Sequence, residues 1–174
     1  GIFDIATNQT IYLQMGDVTN RYFTNLSWLP DGKSILVAEL NRAQNKMELK
    51  CYDAISGQLK SVLFTETSDK WVEPENPALF VPFMSNSFIW QSSRNGFNHL
   101  YLFDINGKLL RQLTDGQWDV TGILGFNAKE KSVIVEAAAP SPLERHIYKV
   151  SLANGKMTQL TSETGYHQAT SSAD

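Results

Sequence analysis

The chain has 174 residues, 42% of them apolar and 19% charged, with a net charge of −3. Such a chain can bury a core and is not globally disordered; no basic block suggests a nucleic-acid partner, and no apolar run approaches the roughly 18 residues of a membrane span. The single cysteine, Cys51, excludes an internal disulfide and a cysteine-based zinc site.

The chain opens on Gly1-Ile2-Phe3-Asp4, without a signal peptide or initiator Met, as expected of a processed protein or a piece of something longer. Ile2-Phe3-Asp4-Ile5-Ala6-Thr7 is the first of four similar segments. The others are Cys51–Gly57, Leu102–Gly107 and Lys149–Gly155, and the equivalent positions Asp4, Asp53, Asp104 and Ser151 lie 49, 51 and 47 residues apart. A short run ending in Leu63, Leu113 or Leu160 follows each of the last three turns.

Each full unit reads as four strands. In the first, Tyr22–Leu29 leads through the turn Pro30-Asp31-Gly32-Lys33 into Ser34–Leu40, with Gly32 supplying the positive φ of a tight hairpin. Ile35, Leu36, Val37 and Ala38 form an apolar run that predicts burial on both faces. Met47–Asp53 and Leu59–Phe64 complete the unit. The second unit is predicted at Leu79–Met84, Phe88–Ser92, His99–Asp104 and Leu109–Leu113. The third is predicted at Val120–Phe126, Ser132–Ala137, His146–Val150 and Met157–Leu160. No segment holds a 3.6-residue period, so almost no helix is expected.

Four-stranded antiparallel units at this period are blades of a β-propeller. The fold class is therefore all-β, a partial β-propeller of about three complete four-stranded blades with incomplete strands at both ends. The units are 1–16 (end of one blade), 17–66, 67–115 and 116–163 (three blades), and 164–174 (start of the next). The last is suggested by the match of Ala169–Asp174 to Leu26–Asp31. Since a closed propeller needs about four to eight blades, a larger propeller is expected. Cutting a ring exposes its end faces, here assigned to strands such as Ile11–Leu13 and Val133–Val135, so frayed ends and self-association with a second copy are expected.

Few residues suggest chemistry. His99-Leu100-Tyr101 and His146-Ile147-Tyr148 sit at the same place in successive units, where the first unit has Glu48. A side chain set by blade position is expected to serve packing and hydrogen bonding, with no metal. His167, beside Tyr166, is expected in a solvated or loop-ordering role. Glu73 and Glu75 could form an acid–base pair, but Pro74 and Pro77 make their segment an extended, solvated inter-blade loop in which Trp71 could line a pocket. Trp118-Asp119 spells the WD dipeptide at the start of a first strand rather than the end of a third, a coincidence. Asn8-Gln9-Thr10 and Asn25-Leu26-Ser27 are formal glycosylation sequons at near-chance frequency. No Gly-x-Ser-x-Gly, phosphate loop or His-Glu-x-x-His is present, and no cofactor is expected. From the residues alone, part of a larger enzyme, a free-standing binding module and a structural scaffold all remain open.

The stretch Phe88–Asp104, with Ser92-Ser93-Arg94-Asn95-Gly96-Phe97-Asn98-His99 at its centre, resembles the strand-two to strand-three segment of dipeptidyl peptidase IV-type enzymes. Leu113-Thr114-Asp115-Gly116-Gln117-Trp118-Asp119-Val120 resembles that family's blade crossover. Ser141–Tyr148 and Asn41–Asn45 are similar to bacterial members, particularly of the Bacteroides group. The resemblance implies the N-terminal eight-bladed propeller of a prolyl-specific serine exopeptidase of the prolyl oligopeptidase superfamily. It implies as partners a C-terminal α/β-hydrolase domain carrying the Ser-Asp-His triad and peptides with a penultimate proline. No residue of this chain matches the triad, nor the family's amine-binding Glu pair. Trp71 and Val72 fall where relatives have a loop reaching toward the substrate pocket, with Glu73-Pro74-Glu75 in place of the Phe and Arg some relatives carry. Trp71, Val72 and Glu73 are thus the candidate substrate-pocket rim. The expected role is to shape and gate peptide access in an exported, periplasmic or envelope-associated enzyme, without activity of its own. The alternative is a free-standing propeller module binding protein or carbohydrate.

Overall fold

The computed structural model describes residues 1–172, in which fourteen β-strands and no helix occur. Strands β1 (Ile2–Asp4) and β2 (Gln9–Ile11) pair as a two-stranded ladder. Blade 1 is β3 (Arg21–Trp28), β4 (Ser34–Asn41), β5 (Lys46–Asp53) and β6 (Leu59–Thr67). Blade 2 is β7 (Leu79–Phe80), β8 (Ser87–Ser92), β9 (His99–Asp104) and β10 (Leu109–Gln112). Blade 3 is β11 (Val120–Asn127), β12 (Ser132–Ala137), β13 (His146–Ser151) and β14 (Met157–Gln159). Each blade is an antiparallel sheet with its strands in sequence order, so the chain forms a partial β-propeller, as the repeat predicts. Of the tail matched to Leu26–Asp31, residues 173 and 174 lie outside the described residues.

The blades pack face to face through three apolar layers. Ile2, Leu13 and Met15 cover Ile35, Val37 and Tyr52 of blade 1. The opposite face of blade 1 (Leu36, Ala38, Leu40, Met47, Leu49) meets Phe88, Trp90, Tyr101 and Phe103 of blade 2. Ile89, Leu100 and Leu102 then meet Val120, Val133, Val135 and Val150 of blade 3. Within the second layer Phe64 stacks on Phe103 at 4.4 Å and meets Trp90 edge-on at 5.7 Å, geometries that add to the gain from buried area. The run Ile35–Ala38 is buried on both faces, as its composition predicts.

Two expectations are corrected. The first strand of blade 2 ends at Phe80 rather than Met84. Pro82 has no N–H for the ladder, and the segment turns instead, with Met84 N–H donating to Val81 and Ser87 N–H to Met84. Val133 and Val135 are not on an exposed end face. Both are fully buried, because the strand period of two aims them at blade 2, leaving Ile134 and Glu136 on the other side. At the opposite end Phe3 and Tyr12, on the face of the β1–β2 ladder away from blade 1, are exposed.

The recurring Asp has a local cause. The Asp53 carboxylate accepts the N–H groups of Ile55 and Ser56, and that of Asp104 accepts Asn106 and Lys108, each bracing the turn before the fourth strand. The backbone and hydroxyl hydrogen bonds from Ser56 hold the Asp53 carboxyl below the usual carboxylate range. Blade 1 differs on the side facing the β1–β2 ladder. There Glu39 binds Arg21 at 2.9 Å and Lys50 at 2.7 Å, while Glu48 takes Lys46 at 2.6 Å and Lys50 at 3.3 Å.

Blades 2 and 3 carry histidines where blade 1 has Glu48. His99 and His146 open β9 and β13 and are equivalent, as the repeat predicts. Thr114 Oγ1 accepts Leu100 N–H at 3.0 Å and lies 3.1 Å from His99 Nδ1. Thr161 repeats both contacts with Ile147 N–H and His146 Nδ1, at 3.1 Å each. In both rings Nε2 faces an acceptor, the Gly116 carbonyl at 3.0 Å or the Glu144 carboxylate at 2.7 Å, and Nδ1 faces the threonine hydroxyl, joined at His146 by Gln159 Nε2 at 3.1 Å. The clasp ties the end of the fourth strand to the third. Replacing Thr114 with valine keeps the shape but orphans a buried N–H and Nδ1, and is expected to cost about 1–3 kcal/mol. A denaturation midpoint unchanged from wild type would show that the clasp contributes nothing.

Candidate functional site

A cleft of about 480 Å³ opens between blades 1 and 2, lined by Glu66–Pro74 on one side and Gln91–Arg94 on the other. The first wall is the end of β6 and the crossover into blade 2. This crossover is pinned to the β4–β5 turn: Ser68 N–H donates to Asn45 at 3.0 Å and Val72 N–H to Gln44 at 2.6 Å. Val72 is buried in the layer between blades 1 and 2. Trp71 and Glu73 flank it and face solvent, Trp71 with 63% of its surface exposed. The second wall is the turn between β8 and β9, closed by Gly96 N–H donating to Ser93.

At the junction of the walls lies Glu66, its side chain only 9% exposed. Its carboxylate accepts Trp90 Nε1–H at 3.0 Å, Ser92 Oγ–H at 2.9 Å and a short hydrogen bond from Arg94 Nη2. Three donors offset the cost of burying the charge. Ser92 Oγ in turn accepts the backbone N–H and Nε–H of Arg94, both at 3.2 Å. The Arg94 guanidinium lies 4.2 Å from the centre of the Tyr101 ring, a cation–π contact. Burial pushes the Tyr101 phenol above its ordinary pKa against the pull of the Arg94 charge, so it stays protonated at neutral pH.

This arrangement offers fixed hydrogen-bond donors and an aromatic face. Ser92 commits its proton to Glu66, and no histidine lines the cleft. The cleft brings together the three sequence-derived candidates Trp71, Val72 and Glu73. It does not unite Glu73 with Glu75, which lies outside the lining. His99 and His146 serve the clasps instead. His167 takes the loop-ordering role: Nε2 bonds the Glu163 carbonyl at 2.6 Å, and its ring lies 5.0 Å from that of His146. Among the described residues no group of three or more His, Cys, Asp or Glu could hold a metal. Trp118 packs edge-on against His99 at 5.0 Å and Asp119 accepts Asn98 N–H at 2.7 Å, a use of the WD pair unrelated to that repeat's strand-three position. Asn25 is buried in a left-handed conformation, so its sequon offers no accessible amide.

Ser92 and Arg94 fall within the Phe88–Asp104 stretch, but no sequence pattern pairs them with Glu66. The usable signal was positional: the end of one blade's fourth strand and the next blade's second turn share an edge of the propeller with the Trp71 loop.

Comparison with known proteins supports the architecture. The model of the dipeptidyl peptidase IV N-terminal region matches residues 1–174. A probable dipeptidyl peptidase 4 of Aspergillus clavatus is 25% identical over 160 residues, covering 89% of this chain and 21% of that protein. Dipeptidyl peptidase 4 of Trichophyton equinum is 26% identical over 179 residues, covering 99% and 23%. The crystal structure of a putative dipeptidyl aminopeptidase IV from Bacteroides ovatus superposes with a TM-score of 0.83 at 41% identity, covering 89% of this chain and 24% of that one. That of Porphyromonas gingivalis dipeptidyl peptidase 4 gives 0.81 at 25% identity, covering 94% and 23%. The chain thus spans 21% to 24% of these relatives' lengths. No helix among the described residues is long and apolar enough to cross a membrane.

Proposed function

The chain belongs to the dipeptidyl peptidase IV N-terminal region family, and from that premise we propose that it is the non-catalytic propeller portion of a prolyl-specific serine exopeptidase. In this reading the propeller shapes and gates the approach of peptides with a penultimate proline. The reaction belongs to an α/β-hydrolase domain elsewhere in the longer protein, and the enzyme is exported to the periplasm or cell envelope. The carrying observation is the family match along the whole length. It favours a portion of a large peptidase over a free-standing binding module. The cleft supports the role: Trp71, Val72 and Glu73 line an open concavity with no nucleophile–base pair.

The test uses the complete protein. It is expected to hydrolyse Gly-Pro and Ala-Pro chromogenic amides, and a fluorophosphonate probe should label one serine outside residues 1–174. Stoichiometric labelling of a serine within them, or no hydrolysis of either amide, would overturn the assignment.

A further inference from the structure

The cleft offers a particular set of contacts. Its buried carboxylate, Glu66, is saturated by Trp90, Ser92 and Arg94, and so is not free to take a peptide's α-ammonium group. Its remaining carboxylates, Asp69 and Glu73, are exposed and solvated. Arg94 differs. Nε and Nη2 are tied to Ser92 and Glu66 and the ring plane rests on Tyr101, while none of the hydrogen bonds among the described residues uses Nη1. The side chain keeps 27% exposure. A guanidinium held on three sides loses little rotamer entropy when it makes one more hydrogen bond. Its charge is balanced by Glu66, so what it offers is a fixed donor for a neutral acceptor. The exposed Trp71 indole supplies an apolar face in the same cleft.

We propose that Arg94 is a specificity-determining residue that donates a hydrogen bond to an internal backbone carbonyl of an extended peptide, while Trp71 packs against an apolar side chain of the same peptide. The ligand class is the stretch of substrate beyond its N-terminal dipeptide, because the cleft has donors and an aromatic face but no free buried acid for the terminal amine. This rests on the peptidase reading above. It gives the propeller a positive role in selecting long substrates, in addition to limiting access.

The experiment compares, in the complete protein, kcat/KM for a long internally quenched peptide that begins Ala-Pro and continues with apolar residues, and for Ala-Pro p-nitroanilide. The readout is the ratio of the two, which a loss of folded enzyme leaves unchanged. Loss of one charge-assisted hydrogen bond predicts that Arg94→Met lowers the ratio about tenfold. The exposed Trp71→Ala should lower it in the same direction, and Lys156→Ala, on blade 3, should leave it at the wild-type value. An unchanged ratio in both cleft variants, with the unsubstituted protein active on both substrates, would overturn the proposal and leave the peptidase reading intact. An unsubstituted protein inactive on both would overturn the peptidase reading, and this proposal with it.

Discussion

Gly107→Ala is expected to destabilise the protein by about 2–4 kcal/mol, from strain at positive φ combined with overpacking. The residue closes the turn before β10 at φ +86°, where an L side chain is strained. A Cβ there would lie 2.2 Å from the Leu63 carbonyl oxygen and 2.7 Å from Leu63 Cα, which are backbone atoms of blade 1 and cannot rotate away. The turn of one blade thus presses directly on the fourth strand of the blade before it. Gly57 repeats the contact, 2.2 Å from the Tyr12 carbonyl oxygen, and Gly155 repeats it more loosely, 2.9 Å from that of Leu113. Urea denaturation should therefore rank Gly155→Ala as milder than Gly107→Ala. Equal midpoints for the two variants would mean that the inter-blade approach does not set the cost.

Trp90→Ala should cost about 3–5 kcal/mol, the range for truncating a buried aromatic side chain. Trp90 is fully buried between blades 1 and 2, edge-on to Phe64, and its indole N–H is one of the three donors on Glu66. Truncation opens a cavity in the inter-blade layer and also leaves the cleft carboxylate short of a donor. Trp90→Phe separates the two effects. It keeps most of the packing and loses the hydrogen bond, for an expected loss of about 1.5–3 kcal/mol dominated by the bond to a charged acceptor. Thermal melts in which Trp90→Ala and Trp90→Phe coincide would assign the whole effect to the hydrogen bond and none to the cavity.

The layer that joins blades 1 and 2 also supports the cleft: Tyr101 and Trp90 belong to its core, and they hold Arg94 and Glu66 from below. Weakening the inter-blade contact should therefore loosen the Arg94 guanidinium as well as the fold.

The repeat was legible in the sequence because blade geometry imposes local chemistry at a fixed period. Asp53 and Asp104 recur because each braces a turn with its own carboxylate, and Gly57, Gly107 and Gly155 because each of those turns needs positive φ. His99 and His146 announced their equivalence by their 47-residue spacing, and each has its threonine 15 residues on. The carboxylate, the positive φ and the His–Thr contact are each local to one blade, although the glycines also meet the unit before them. Tertiary structure alone decided which neighbour each apolar strand faces. A strand buried on both sides, such as β4, shows no alternation to read, and Val133 and Val135 looked as fit for an outer face as for the inner one they occupy. The cleft belongs to this second group. Glu66 and Arg94 stand 28 residues apart on different blades, and the Phe88–Asp104 stretch that holds Arg94 does not point to Glu66. Their pairing arises only when two sheets stack and bring the end of one fourth strand against the next blade's turn.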